Sequence, residues 1–180
     1  MPLATKGFTN AEKQIASISV KTNPTITAYE HGDTIDLTGG VIQVTYDDNS
    51  AEDIDMTDPS VSITTGSPAD VNNPIVKLDY KGQETSFNIT VTDPIQSLSV
   101  ATPMTQGEYD HGDTLNFAGL TLSAVTKSGA ATTISSTTPG LTISETTANI
   151  NSPNFTKTSG SSDVEVRGTQ VIKFTYDGKT

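Results

Sequence analysis

The chain has 180 residues, a formal net charge of −11, a hydrophobic content of 33 % and no cysteine. An acidic balance repels phosphate backbones and argues against a nucleic-acid partner; no apolar run of about 18 residues is present to span a membrane; and without cysteine there is neither a disulfide nor thiol chemistry. The charge is uneven: residues 1–93 hold 14 acidic and 5 basic side chains, while residues 94–180 hold 7 and 5.

Residues 1–14 show no period and read as a leader or interdomain tail. Met1-Pro2-Leu3-Ala4-Thr5 lacks the basic start and apolar centre of a signal peptide. Ile18 and Val20 alternate with Ser17, Ser19 and Lys21, the period of a half-buried strand, and Asn23-Pro24 forces a bend after it. Tyr29-Glu30-His31-Gly32-Asp33-Thr34-Ile35-Asp36-Leu37-Thr38-Gly39 follows. In it Gly32 supplies a corner and Asp33 can accept from backbone amides. Ile42, Val44 and Tyr46 then alternate inward up to a hairpin tip at Asp48-Asn49. Ile54/Met56 and Val61/Ile63 form two further short strands split by Asp58-Pro59. Val76, Leu78 and Tyr80 make another, leading through Lys81-Gly82 into a strand with Phe87, Ile89 and Val91 on one face.

The corner stretch returns as Tyr109-Asp110-His111-Gly112-Asp113-Thr114-Leu115-Asn116-Phe117-Ala118-Gly119, at a constant offset of 80 (109 − 29). The same offset pairs Ile18 with Leu98, Val20 with Val100, Ile42 with Leu122, Ile54 with Ile134 and Val61 with Leu141. Near the end the offset becomes 96 (172 − 76), pairing Val76, Leu78 and Tyr80 with Ile172, Phe174 and Tyr176, so the second copy carries an insertion at about residues 144–171. Asp177-Gly178 is a hairpin signal, and Thr180 aligns with Glu84, which leaves the second copy without its closing strand. No stretch has helical spacing. Two tandem repeats, each with about seven short alternating strands, predict an all-β chain of two β-sandwiches with Greek-key connections. They occupy residues 15–93 and 94–180. Asp93-Pro94 joins them with hardly any linker and limits bending.

The stretches SISVKTNPTITAYEHGDTIDLTGGVIQVTYDDNS and VKLDYKGQETSFNITV resemble the bacterial immunoglobulin-like domains of the group 3 type. Members carry a Tyr-x-x-Gly-Asp-x-Leu-x-Leu-x-Gly-Leu stretch and a final Tyr-x-Gly-x-x-x-x-Phe-x-Val-x-Val. Tyr29, Gly32, Asp33, Ile35, Leu37, Gly39, Tyr80, Gly82, Phe87, Ile89 and Val91 fill those places in the first copy. Tyr109, Gly112, Asp113, Leu115, Phe117, Gly119, Leu120, Tyr176 and Gly178 fill them in the second. Gly40 departs from the pattern, standing where the family has Leu. The resemblance implies two tandem immunoglobulin-like domains, the second lacking its final strand. It also implies an extracellular, bacterial cell-surface location and a non-enzymatic role as a spacer or display module among neighbouring domains of the same kind. Similar domains occur in some tailed-bacteriophage virion proteins. An adhesive or carbohydrate-binding role is the alternative, disfavoured because tryptophan is absent and most Tyr and Phe fall at inward positions. The absence of disulfides fits a bacterial surface or cytosolic protein better than an animal extracellular domain.

Candidate chemistry is sparse. His31 and His111 are the two histidines and sit at equivalent corners, one imidazole per domain, too few ligands for zinc. Asp47, Asp48, Glu52, Asp53, Asp55 and Asp58 form an acidic run that invites calcium. However, the Asp-x-Asp-x-Asp-Gly spacing is missing, and the second copy has Lys127, Ser128, Thr132, Thr133, Ser135 and Thr138 instead. Alternating acids on a strand are usually its solvated face, and that reading is preferred here. No Gly-x-Ser-x-Gly elbow or Ser/His/Asp grouping is present, so no catalytic, cofactor-binding or metal residue is assigned and no cofactor is expected. Asn88-Ile89-Thr90 and Asn154-Phe155-Thr156 match the glycosylation pattern. The insertion is rich in Ser, Thr and Asn, with Ile150, Phe155, Val164 and Val166 as its sizeable apolar residues, and reads as a decorated loop or an extra edge hairpin. The open edge near Phe174 and Tyr176 makes the second domain a candidate acceptor for a donated strand.

Overall fold

The computed structural model describes residues 12–159 and 167–180. Most of the sequence-predicted tail, residues 1–11, lies outside them, as do Val164 and Val166. The described residues contain strands and turns and no helix. The chain divides between Asp93 and Pro94 into two compact units.

Unit 1 contains β1 (Ile15–Thr22), β2 (Ala28–Glu30), β3 (Val41–Tyr46), β4 (Ala51–Asp55), β5 (Val61–Thr65), β6 (Ile75–Tyr80), β7 (Gln83–Asn88) and β8 (Thr90–Thr92). Its sheets run β1-β3-β4 and β5-β6-β7, with β2 paired to β8 in parallel. The period-2 alternation sends Ile42 and Val44 from β3, and Val76 and Leu78 from β6, into the space between the sheets, where all four are fully buried. Tyr29, Ile35, Met56, Tyr80, Phe87 and Ile89 close around them. Each such side chain contributes roughly 1.5–3 kcal/mol by leaving water, so this layer is what holds the unit shut. The opposite faces carry the Thr, Ser, Asp and Lys of the same strands. This is an immunoglobulin-like β-sandwich.

Two local devices set its registers. Lys81 and Gly82 have φ of 50° and 84°, a turn whose twist suits a two-residue hairpin, and Tyr80 faces Gln83 across it. The strand predicted to run straight through Phe87, Ile89 and Val91 is interrupted at Ile89. There the Ile89 N–H donates to the Pro74 carbonyl at 3.0 Å and the Thr90 N–H to the Thr27 carbonyl at 2.7 Å. The chain thereby exchanges an antiparallel partner, β6, for a parallel one, β2, while keeping its apolar side chains pointed inward.

Unit 2 contains β9 (Ile95–Thr102), β10 (Thr121–Thr126), β11 (Ala131–Ser135), β12 (Thr142–Ile143), β13 (Phe155–Ser159), β14 (Arg167–Gln170) and β15 (Phe174–Thr175). The order β11-β10-β9 repeats that of β4-β3-β1, and β12 pairs with β15 as β5 does with β6. Among the described residues its buried cluster is smaller: Leu120, Leu122, Ala124 and Ile134, with Phe117, Phe174 and Tyr176 packed alongside. Phe117 and Phe174 meet edge to face at 6.1 Å. Ala148 exchanges backbone hydrogen bonds with Gly112 and Asp113, as Ala69 does with Gly32 and Asp33. That equivalence places the additional residues of the second copy between Ala148 and Val171, where β13 and β14 form a hairpin of their own.

Gly40, the departure from the family pattern, has a partner. A Cβ built there would lie 2.5 Å from Met56 Sδ and 3.1 Å from the Leu37 carbonyl oxygen. Met56 fills the space beside Gly40, and the positions matching Gly40 and Met56 in unit 2 are Leu120, which is buried, and Ser136. The large side chain of the pair thus stands at the second position in unit 1 and at the first in unit 2.

Candidate functional site

The corner that recurs in both units is made of groups that satisfy one another. The Tyr29 hydroxyl accepts from the Asp36 N–H at 3.1 Å and donates toward the Ile26 or Asp36 carbonyl. Asp33 Oδ2 accepts from the Glu30 N–H at 2.9 Å. Gly32, at φ 88°, turns its N–H to the Ala69 carbonyl at 2.8 Å. Tyr109, Gly112 and Asp113 repeat this with Asn116, Gln106, Ala148 and Asp110. The motif residues shape backbone, and their polar atoms are occupied in doing so.

The two histidines diverge. His31 Nδ1 accepts the Val71 N–H at 3.3 Å and stands 3.7 Å from Asp70 Oδ1, so it holds the loop between β5 and β6. His111 is exposed, and the residue following Ala148 is Asn149 where unit 1 has Asp70. His111 instead lines a cleft described below.

The acidic run lies along the β3–β4 hairpin and edge, and Asp47, Asp48, Glu52, Asp53 and Asp58 each have a partner of their own, Asp47 accepting from the Gln14 N–H at 3.3 Å. Asp48 pairs with Lys13 at 2.8 Å and accepts from Ser50. The Lys13 bond, then those of Ser50, hold its carboxyl far below the usual carboxylate range. Asp53 pairs with Lys21 and accepts from Gln43, which lowers it in that order. Glu52 accepts the Tyr46 hydroxyl at 2.8 Å and so pushes that phenol up, and Asp58 is lowered by accepting from Ser60. Among the described residues no three His, Cys, Asp or Glu side chains converge as metal ligands would. Charged side chains on an edge strand discourage pairing with another chain, and among the described residues β4 has only β3 beside it.

Of the two glycosylation matches, Asn88 is exposed on β7. Asn154 is engaged: its side-chain amide donates to Glu145 Oε1 at 2.5 Å. Glu145 is the hub of the insertion, and nothing in the repeat pointed to it. Its Oε1 also accepts Ser152 Oγ at 2.7 Å, and its Oε2 accepts Gln170 Nε2. Gln170 in turn takes the Asn149 N–H at 2.9 Å and donates to the Thr147 carbonyl at 3.2 Å. Three donors around one carboxylate, Asn154 first and then Ser152, hold Glu145 below its ordinary value. The signal available in the sequence was its isolation: Glu145 is the one carboxylate between Asp113 and Asp163.

Above this cluster, Phe155 lies across Gly168, where a Cβ would come 2.3 Å from the ring's Cζ. The hairpin thus forms one wall of a cleft of about 220 Å³, lined opposite by Met104, Tyr109, His111, Leu115 and Ile172. That is smaller than the roughly 300–1,000 Å³ typical of small-molecule sites.

Residues 22–91 match the family model described as bacterial Ig-like domain (group 3). The bacterial Ig-like match falls within unit 1 and spans Tyr29, the Gly32-Asp33 corner and the strand ending at Val91. One solved structure, described as the solution structure of "a putative surface protein", is similar at 32 % identity over 44 % of this chain and 89 % of that chain, with a TM-score of 0.25. No curated protein matches the chain.

Proposed function

We propose that this chain is a non-enzymatic module of a bacterial surface protein, in which unit 2 is a further copy of the bacterial Ig-like domain and the pair spaces or displays neighbouring domains. The observation that carries this reading is the bacterial Ig-like match over residues 22–91. It is supported by the use of the distinctive polar side chains: the corner tyrosines and aspartates, His31, Glu52 and Asp53 of β4 and Glu145 all engage local partners. Fold alone does not specify function, so support has to come from what the side chains are already doing. Here they order turns and strand edges.

Antibodies raised against the chain are expected to label intact cells of the producing bacterium; labelling that appears only after permeabilisation overturns the surface placement. A glycan and host-matrix array reads the other half of the proposal. The spacer role predicts no saturable binding by the chain, and a specific hit would transfer the reading to adhesion.

A further inference from the structure

The same strand is an edge in both copies, and the two edges carry different chemistry. Among the described residues β4 has only β3 beside it, although unit 1 also holds β7 and β8, and its counterpart β11 has only β10. The openness of β11 is therefore a property of the shared strand plan. β4 carries Glu52, Asp53 and Asp55, with Asp48 before it and Asp58 after it. Ala131–Ser135 of β11 include no charged residue, and none stands between Lys127 and Glu145. Edge strands are ordinarily kept from pairing by charge, proline or a bulge. β11 holds no proline and pairs with β10 in an unbroken register, and Ala131, Thr132 and Thr133 are exposed.

The backbone of that edge is open as well. The Thr126 N–H donates to the Ala130 carbonyl at 2.9 Å, in the same register that sets Ala124 opposite Thr132 and Leu122 opposite Ile134. Hydrogen-bonded pairs alternate along an antiparallel ladder. Thr132 and Ile134 therefore turn their N–H and carbonyl groups to β10, while those of Ala131, Thr133 and Ser135 point away from it. Ser135 is already engaged: its N–H donates to Thr138 Oγ1 at 3.0 Å and its carbonyl accepts the Thr138 N–H at 3.0 Å. Among the described residues no such bond reaches the outward groups of Ala131 or Thr133.

We propose that β11 is a self-association edge whose occupant is β11 of a second copy of this chain. Antiparallel pairing about a two-fold axis at Thr132 puts Ala131 opposite Thr133 of the second copy, and Thr133 opposite its Ala131. Each of these pairs exchanges both of its main-chain hydrogen bonds, so the register uses the groups that are open and asks nothing of Ser135. Thr132 meets Thr132 of the second copy as the close pair between them, a favourable cross-strand contact. A two-fold contact requires one patch to complement itself, and this edge does so in both backbone and charge. The equivalent pairing is closed to unit 1, where it would set Glu52 against Glu52, because like charges directly opposite are destabilising. The pairing rests on the edge alone and is independent of the surface placement.

The test is sedimentation of the 180-residue chain over a range of concentrations, with disulfide trapping beside it. A reversible dimer is expected, because so short an interface belongs to the weak class. Thr132→Asp, which sets two carboxylates opposite each other, should weaken it by about five- to tenfold. The chain has no cysteine, so Thr132→Cys can form a disulfide only between copies. In the proposed register the two Cα atoms stand roughly 4.5 Å apart, inside the range of about 4.4–6.8 Å that a disulfide spans. Ala131→Cys, which the register displaces from its own counterpart, should cross-link far more slowly. Should Thr132→Asp fail to fold, the two cysteine variants decide the question alone. A monomer at every concentration, with both cysteine variants cross-linking equally slowly, overturns the proposal and leaves the edge to a different polypeptide or to none. A dimer that Thr132→Asp does not weaken, or that Ala131→Cys traps as readily as Thr132→Cys, overturns the assignment to this edge in this register.

Discussion

Gly40 and Met56 show how a single residue's identity is decided by its neighbour's volume. A side chain at Gly40 meets Met56 Sδ at 2.5 Å, while unit 2 solves the same packing problem with Leu120 and Ser136. Gly40→Leu alone is expected to destabilise unit 1 by about 1–3 kcal/mol, the usual cost of overpacking. Met56→Ser alone should cost about 2–5 kcal/mol, as large-to-small changes in a core do. Together they are expected to cost clearly less than the sum, because Leu would occupy what Met vacates; a urea double-mutant cycle reads the coupling. Additive losses would show that the two copies fill the space differently. Glu145 poses the other residue-scale question. A carboxyl held below its ordinary value of 4.5 takes up its proton less readily in the closed arrangement than in an opened one. Its contribution is therefore complete above that value and is lost as pH falls through the lower, folded value. Hydrogen exchange in the β13–β14 hairpin should accelerate in that acid window. Glu145→Gln, which turns an amide toward three donors, should be fast at neutral pH and lose the dependence.

At the scale of elements, the difference between a paired and an unpaired edge has a measurable consequence. Among the described residues β6 is flanked by β5 and β7, while its counterpart β15 has only β12. Amides of β6 are expected to exchange only on unfolding of unit 1, whereas those of β15 exchange through local opening at much lower free energy. Comparable protection of Leu78 and Phe174 would contradict this. The strands themselves were largely legible in the sequence. Alternation at Ile42/Val44 and Val76/Leu78 reports which side chains are buried, and Lys81-Gly82 and Asp177-Gly178 report turns through their tolerance of positive φ. The partner exchange at Ile89 was not legible, because Phe87, Ile89 and Val91 keep the same inward period on both sides of it and only the hydrogen bonds change. The Glu145 cluster was hidden for a different reason. Its members, Ser152, Asn154 and Gln170, lie in the segment that the first copy lacks, so no offset could bring them together. The divergence of the two histidines was equally invisible, since it depends on Asp70 and Asn149 rather than on the motif that contains them.

For the molecule as a whole, the two copies share a strand plan but not a core. Among the described residues, unit 1 buries twelve hydrophobic side chains in one cluster, and unit 2 buries four in its cluster with Leu115 apart from them. At roughly 1.5–3 kcal/mol for each fully buried side chain, that disparity outweighs any difference between their surface ion pairs, which contribute about 0–1 kcal/mol each. Calorimetry of the full chain should therefore resolve two transitions, with unit 2 melting first. Phe87→Ala, which removes a buried ring from unit 1 at a cost of about 3–5 kcal/mol, should lower the upper transition and leave the lower one in place. Conversely, Leu122→Ala should act on the lower transition alone. A single cooperative transition that both variants shift together would mean that the stability of one unit is communicated to the other.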